Sequence, residues 1–210
     1  MELFRPGGLK LTQHAADIIG LAPGDRVLDI GCGLGTSLSF LRDNYNIEAF
    51  GVDIHPEAAE KAKLNLGTDH VFCGDAEDLS FEDGAFDAAF MECVLSLTNN
   101  PEKALAEAWR VLKPGGYIVI SSLDGADTLL DNGRIGREAL LEKLEDLGFS
   151  EFSVFDETAE LRRFVAEIIF AYDSIENYIE AANLELGGSV LNCNVPIKGT
   201  GYILIIASKK

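Results

Sequence analysis

Positive charge is scarce in this 210-residue sequence: 17 lysines and arginines stand against 35 aspartates and glutamates, a formal charge of −18. A protein that grips nucleic acid neutralises phosphates with cations, so this balance argues against a nucleic-acid partner. Long apolar runs are missing as well. The longest, near 203–207, has the length of a strand and not of a membrane span. The first ten residues are polar and glycine-rich and lack the apolar core of a secretory signal. The four cysteines, Cys32, Cys73, Cys93 and Cys193, include no C-x-x-C pair, so neither a disulfide framework nor a thiolate zinc site is indicated. They read as reduced, small, buried residues, which suits a cytoplasmic protein that binds no metal. A soft-metalloid site made by Cys73, Cys93 and Cys193 is the alternative. Repeats, low-complexity tracts and linkers are also absent, so residues 1–210 read as one domain.

What is present alternates. The chain is 47% apolar, enough for a sizeable core. Short β-branched and aromatic runs bounded by Gly, Asp and Pro predict strands over 26–30, 49–53, 70–73, 86–91, 117–121, 149–155 and 201–208. Helical marks fill most of the gaps. Pro56 and Pro101 stand where helices begin, Asn100 is placed to cap the second, and Lys113-Pro114-Gly115-Gly116 is expected to stop it in a turn. Thr12 is placed to cap an N-terminal helix, and Leu140, Leu141, Leu144 and Leu147 mark one over 137–147. Before the last strand, Leu161, Phe164, Val165, Ile168, Ile169 and Tyr172 form one face of a helix, Ser174 heads another, and 187–199 reads as a loop. This order predicts an α/β, Rossmann-like doubly wound fold. Its mostly parallel seven-stranded sheet has helices on both faces and a small helical cap over 159–199.

The strongest local signal is Val27-Leu28-Asp29-Ile30-Gly31-Cys32-Gly33-Leu34-Gly35-Thr36. A buried strand ends in a glycine turn that opens a helix, and the glycines leave room for a ligand against the main chain. The spacing G-x-G-x-G differs from the G-x-G-x-x-G that seats a pyrophosphate, and the Walker Gly-Lys-Ser/Thr pattern is missing. Asp29, two residues before the first glycine, repels a pyrophosphate and suits a ligand with a cationic amine. S-adenosylmethionine carries both an ammonium and a sulfonium.

At this point residues 25–122 resemble the cofactor-binding core of the class I S-adenosylmethionine-dependent methyltransferases, small-molecule type. Asp29, Gly31, Gly33 and Gly35 match the family's first motif, D-x-G-x-G-x-G. The resemblance implies that Asp53, at the end of the second strand and followed by Ile54, holds the ribose hydroxyls. It also implies that Asp75 contacts the adenine amine while Ala76 packs on the ring. The segments 81–87 and 110–116 are similar to the family's as well. Met91 completes the implied contacts after the fourth strand. Residues 1–20 then correspond to a lid, in which Arg5 either meets the methionine carboxylate or an acidic substrate, or is a solvated arginine in a turn. The family's frequent V-L-H-H segment is replaced here by Val94-Leu95-Ser96-Leu97, so its histidine pair is missing.

Methyl transfer is an in-line displacement in which alignment and exclusion of water carry most of the catalysis. Glu92, just after the fourth strand, is the candidate catalytic residue. It is placed to act as a base, to bind the substrate, or to accept a hydrogen bond from the cofactor or a main-chain amide. His14, His55 and His70 read as a surface residue, an adenosine neighbour and a strand start. The expected cofactor is S-adenosyl-L-methionine, leaving as S-adenosyl-L-homocysteine. The expected partner is a small-molecule substrate bound by a monomer or homodimer, with no membrane. Substrate selectivity is expected in the insertion, with Arg134, Tyr172, Tyr178 and Lys198 as polar contacts. A non-catalytic cofactor-binding protein and a protein methyltransferase are the alternative readings.

Overall fold

A computed structural model describes residues 5–126, 129–131, 134–186 and 199–210. The chain enters β1 (Arg26–Ile30) through a turn closed by Asp25, whose carboxylate accepts from the Ala22 amide at 2.8 Å. The strands β2 (Glu48–Asp53), β3 (Val71–Cys73), β4 (Phe86–Glu92) and β5 (Leu112–Asp124) run parallel in the order β3-β2-β1-β4-β5. The last strand, β9 (Gly201–Lys209), lies antiparallel on β5, and β8 (Phe149–Asp156) lies antiparallel on β9. These are the seven expected strands. Two further strands of two residues each, β6 (Leu130–Asp131) and β7 (Arg134–Ile135), hang on the tip of β5. They are too short for any periodicity to register in the sequence.

The pleat sorts side chains into two layers. Along β9, Ile203, Ile205 and Ala207 enter one core while Tyr202, Leu204 and Ile206 enter the other. The first core packs on α4 (Pro101–Val111) and α5 (Arg137–Leu147) through Ala104, Leu105, Ala108, Leu140 and Leu144. The second packs on α1 (Gly8–Ile19), α2 (Thr36–Tyr45) and α3 (Pro56–Leu66). Asn100 caps α4 as expected, its Oδ1 accepting from the Lys103 amide at 3.0 Å.

Several local expectations change. Thr12 lies inside α1, which begins at Gly8, so its hydroxyl is available for a tertiary contact. Pro114-Gly115 is an irregularity within β5: pairing with β4 jumps from Phe86↔Leu112 to Ala88↔Tyr117, so the strand absorbs the proline-glycine segment. The cap consists of α6 (Thr158–Tyr172) and α7 (Ile175–Leu186), whose small separate core joins Phe164, Ile168, Tyr172, Ile175, Tyr178 and Ile179. Tyr172 and Tyr178 therefore pack on each other edge-on at 5.5 Å, within the cap. Ile169, expected on the apolar stripe, is largely exposed. Residues 187–198 of the expected loop 187–199, with Lys198, lie outside the described residues. No described helix is long and apolar enough to cross a membrane.

The last strand is pinned by a charge. Lys209 Nζ donates to the carbonyls of Trp109 and Leu112 at 2.8 and 2.7 Å and lies 3.8 Å from the Trp109 ring centroid. This satisfies carbonyls at the end of α4. Lys209→Met is expected to lower the unfolding free energy by about 2 kcal/mol or more, measured by urea denaturation.

Candidate active site

Three carboxylates cluster at the carboxyl ends of adjacent strands. Asp29 of β1 is in register with Gly51 of β2 and Phe90 of β4. Asp53 and Glu92 each lie two residues beyond those partners, so the side-chain period of two puts all three on the same sheet face. That face carries α1, α2 and α3. The crevice outside the carboxyl ends of parallel strands is where this architecture binds ligands.

The glycine turn between β1 and α2 forms one wall. Gly31, Gly33 and Gly35 all have left-handed φ angles. A Cβ at Gly31 would meet Val94 Cγ2 at 2.3 Å, whereas the space beside Gly33 is open. The turn is bolted to β2: the amides of Gly31 and Cys32 donate to the Val52 carbonyl at 2.7 and 3.0 Å. Asp53 is braced in the same way, its Oδ2 accepting from the Gly33 amide at 2.8 Å and its Oδ1 from the His55 amide at 2.9 Å. His55 thus contributes through its main chain. Its neighbour Ile54 is 55% exposed at the rim.

Glu92 is the most heavily engaged of the three. Its Oε2 accepts from Arg5 Nη2 at 2.7 Å and from Ser37 Oγ at 3.0 Å, and its Oε1 accepts from Thr12 Oγ1 at 3.1 Å. Arg5 Nη2 also contacts Thr12 and Ser37. Arg5 is therefore neither solvated nor in an open turn; it is buried, and it ties the segment before α1 to β4 and α2. Burial opposes its charge, but Glu92 and its other anionic neighbours hold the guanidinium protonated above its ordinary value. Its second nitrogen, Nη1, is buried with no acceptor.

Asp29 is the opposite case. It is 4% exposed, and its carboxylate accepts no hydrogen bond among the described residues. Burial first, and then Glu92, hold its carboxyl well above the usual range, with Arg5 pulling the other way.

Beyond Asp53 the chain turns at Asp75, whose carboxylate accepts from the Glu77 amide at 2.9 Å and whose carbonyl accepts from the Asp78 amide. Ala76 packs against the core beside this turn. Met91 departs from expectation. Its side chain is fully buried in the α4/α5 layer, on the sheet face opposite Asp29 and Glu92, so only its main chain remains to meet a ligand. His70 stacks on Phe50, and His14 lies edge-on to Phe155.

Three polar residues at the crevice carry no sequence signal for the role they take there. Thr12 and Ser37 serve Glu92 from 80 and 55 residues away. Tyr202, read as part of an apolar strand, donates to Ser121 Oγ at 3.0 Å and contacts Cys93 Sγ at 2.9 Å. Cys93 itself has a left-handed φ of 60°. Cys73 is exposed on the Ile54 carbonyl, and Cys193 lies outside the described residues. Among the described residues no group of three or more His, Cys, Asp or Glu is arranged to hold a metal ion.

Removing one member of the buried pair strands the other charge. Arg5→Leu and Glu92→Leu are each expected to destabilise by about 3–5 kcal/mol, and the double variant by much less than their sum. A double-mutant cycle in denaturant measures this.

Comparison with known proteins places this geometry. A family model described as "Methyltransferase domain" matches residues 28–120, the stretch from β1 to β5. A demethylmenaquinone methyltransferase of Renibacterium salmoninarum is 37% identical over 105 residues, 50% of this chain and 44% of that protein. An uncharacterized 37.1 kDa transposon protein of Streptomyces fradiae is 33% identical over 171 residues, 70% of this chain and 49% of that one. The chain thus spans about half the length of the curated relatives it matches. Among solved structures, the 4+2 cyclase SpnF superposes with a TM-score of 0.75 at 26% identity, covering 96% of this chain and 81% of that one. A phosphoethanolamine N-methyltransferase 2 of Haemonchus contortus, in complex with S-adenosyl-L-methionine, shares the fold with a TM-score of 0.75 at 20% identity. That likeness covers 99% of this chain and 54% of the other. By motif, strand order and family match, residues 28–120 resemble the class I S-adenosylmethionine-dependent methyltransferases.

Proposed function

We propose that this protein transfers a methyl group from S-adenosylmethionine to a small-molecule acceptor by in-line displacement. One observation carries the reading: a buried carboxylate without a donor, Asp29, opens beside a braced carboxylate, Asp53, and the glycine turn. A buried carboxyl with no donor of its own suits a cationic ligand. Asp53 keeps lone pairs free for two ribose hydroxyls after its two amide bonds. Ile54 offers an exposed apolar surface for adenine, with Asp75 and Ala76 on the next strand's turn. Gly31, Gly33 and Gly35 keep the main chain close to the nucleoside.

When bound, the cofactor supplies a methyl group on a sulfonium that leaves as a neutral thioether. The chain's own part is to hold the donor, align the acceptor and keep water out. Segment 1–20, the core 25–122 and the cap 159–199 act in this reading as lid, cofactor site and selectivity element of one domain. Glu92 serves as the anchor of the lid through Arg5, because three side chains already donate to it and leave little capacity for proton removal. Relatives named for quinone and hydroquinone methylation support a small acceptor. We place the protein in the cytoplasm, as a monomer or homodimer, without nucleic-acid or membrane partners.

Calorimetry with S-adenosylmethionine, S-adenosylhomocysteine and NAD tests this. Both sulfur nucleosides should bind, NAD should not, and Asp53→Ala should weaken binding by about tenfold or more through loss of charged hydrogen bonds. Binding of NAD in their place refutes the assignment. Binding without methyl transfer to any acceptor favours another use of the same nucleoside site.

A further inference from the structure

We propose that His14 and Glu157 form a pH-sensitive latch between the N-terminal helix and the cap, closed when the imidazole is protonated and released when it is neutral. That the latched elements flank an acceptor crevice rests on the functional reading above; the latch itself does not.

The two residues belong to segments that are each tied separately to the sheet. His14 lies on α1, two residues after Thr12, whose hydroxyl donates to Glu92 of β4. Glu157 joins β8 to α6, the first helix of the cap. Its main-chain amide donates to the Tyr202 carbonyl at 2.7 Å, and Thr158 Oγ1 beside it accepts from the Tyr202 amide at 3.2 Å. Between these two anchored segments, His14 Nδ1 lies 4.0 Å from Glu157 Oε1. The His14 ring stands edge-on to Phe155 of β8, with 4.9 Å between centroids, which keeps it beside the junction.

The other charges near this contact have partners of their own. From β8, Asp156 accepts from the Thr158 amide at 3.0 Å and faces Arg137 and Arg162. From α6, Glu160 is paired with Arg163 at 3.1 Å. On α1, Asp17 accepts from the Tyr45 hydroxyl at 2.6 Å, and Lys10, one turn before His14, is exposed to water. Glu157 differs from them. Its side chain is 20% exposed, and its carboxylate accepts no hydrogen bond among the described residues. Burial pushes its carboxyl up, His14 pulls it down, and Glu160 and Asp156 push it up again. A carboxylate so placed lacks a cation, and His14 is the group facing it that can become one. At 4.0 Å the two are beyond hydrogen-bonding distance, so their attraction comes from charge and vanishes with it.

A protonated imidazole is favoured where the carboxylate faces it. The contact is therefore present on the acid side of the histidine range and is lost as pH rises through that range. At lower pH it fails again, once Glu157 takes up a proton, and the raised carboxyl brings that limit closer to neutrality. The latch thus holds in a mildly acidic window and loosens toward alkaline pH. For a partly exposed pair, its loss changes an opening equilibrium by about two- to fivefold.

Hydrogen exchange followed by mass spectrometry, corrected for the intrinsic rate at each pH, reads the opening of α1 and α6 against α4 as an internal reference. From about pH 6 to 8, the opening constants of α1 and α6 should rise about two- to fivefold in the wild type while that of α4 stays level. His14→Gln and Glu157→Gln should each remove the rise. No rise in the wild type, or an equal rise in α4, overturns the proposal whether or not the variants fold. A rise that survives either substitution overturns it as well. The measurement uses the protein without ligand, so a latch found in a chain that binds no sulfur nucleoside refutes only the functional reading.

Discussion

Sinking three carboxylates into one face of a sheet, at the ends of three neighbouring strands, is the constraint around which this molecule is arranged. In a low-dielectric interior each charge must find a partner, a set of dipoles or a proton. Two of these means are built into the protein, and the third carboxyl has neither. Glu92 has a guanidinium and two hydroxyls, Asp53 has two main-chain amides, and Asp29 has neither, so burial holds its carboxyl well above the usual range. Each solution recruits different parts of the chain, and together they determine how the crevice is walled.

The Glu92 solution ties the N-terminal segment to the centre of the sheet. Arg5, Thr12 and Ser37 come from before α1, within α1 and the first turn of α2, so one carboxylate draws three segments over the crevice. The Asp53 solution locks the glycine turn to β2, because the amide that braces the carboxylate belongs to Gly33 itself. A side chain at Gly31 would collide with Val94, and one at Gly51 with Cys32 and Leu38. Small residues thus recur where two strands and a turn meet a ligand site. On the far side, Lys209 and the β5–β9 pairing hold the strand that bears Tyr202 against Ser121 and Cys93.

Much of the frame was legible because its signals are local. Pro56 and Pro101 at helix starts, Asn100 as a cap, the strand-like runs and the glycine turn depend on φ preferences and hydrogen bonds within a few residues. Where the reading erred, competing local signals were decided by pairing. Pro114-Gly115 reads as a turn after a helix, and the helix does end at Val111, yet pairing of Leu112 and Tyr117 with β4 keeps the segment within a strand. Thr12 reads as a cap, yet the helix starts earlier at Gly8 and the hydroxyl turns to Glu92. Met91 stands beside Glu92 in sequence and on the opposite sheet face in space, as the period of two requires.

The amino-acid sequence by itself determined the order of strands and helices, the glycine turn, and the acidic residues at the ends of β1 and β2, because backbone preference and side-chain period act over short spans. Only the tertiary structure decided which charges are neutralised and which are not. The Arg5–Glu92 pair closes across 87 residues, and Tyr202 reaches Ser121 across 81. Burial and partnership are properties of the packed sheet, and they alone separate the braced Asp53, the paired Glu92 and the unanswered Asp29.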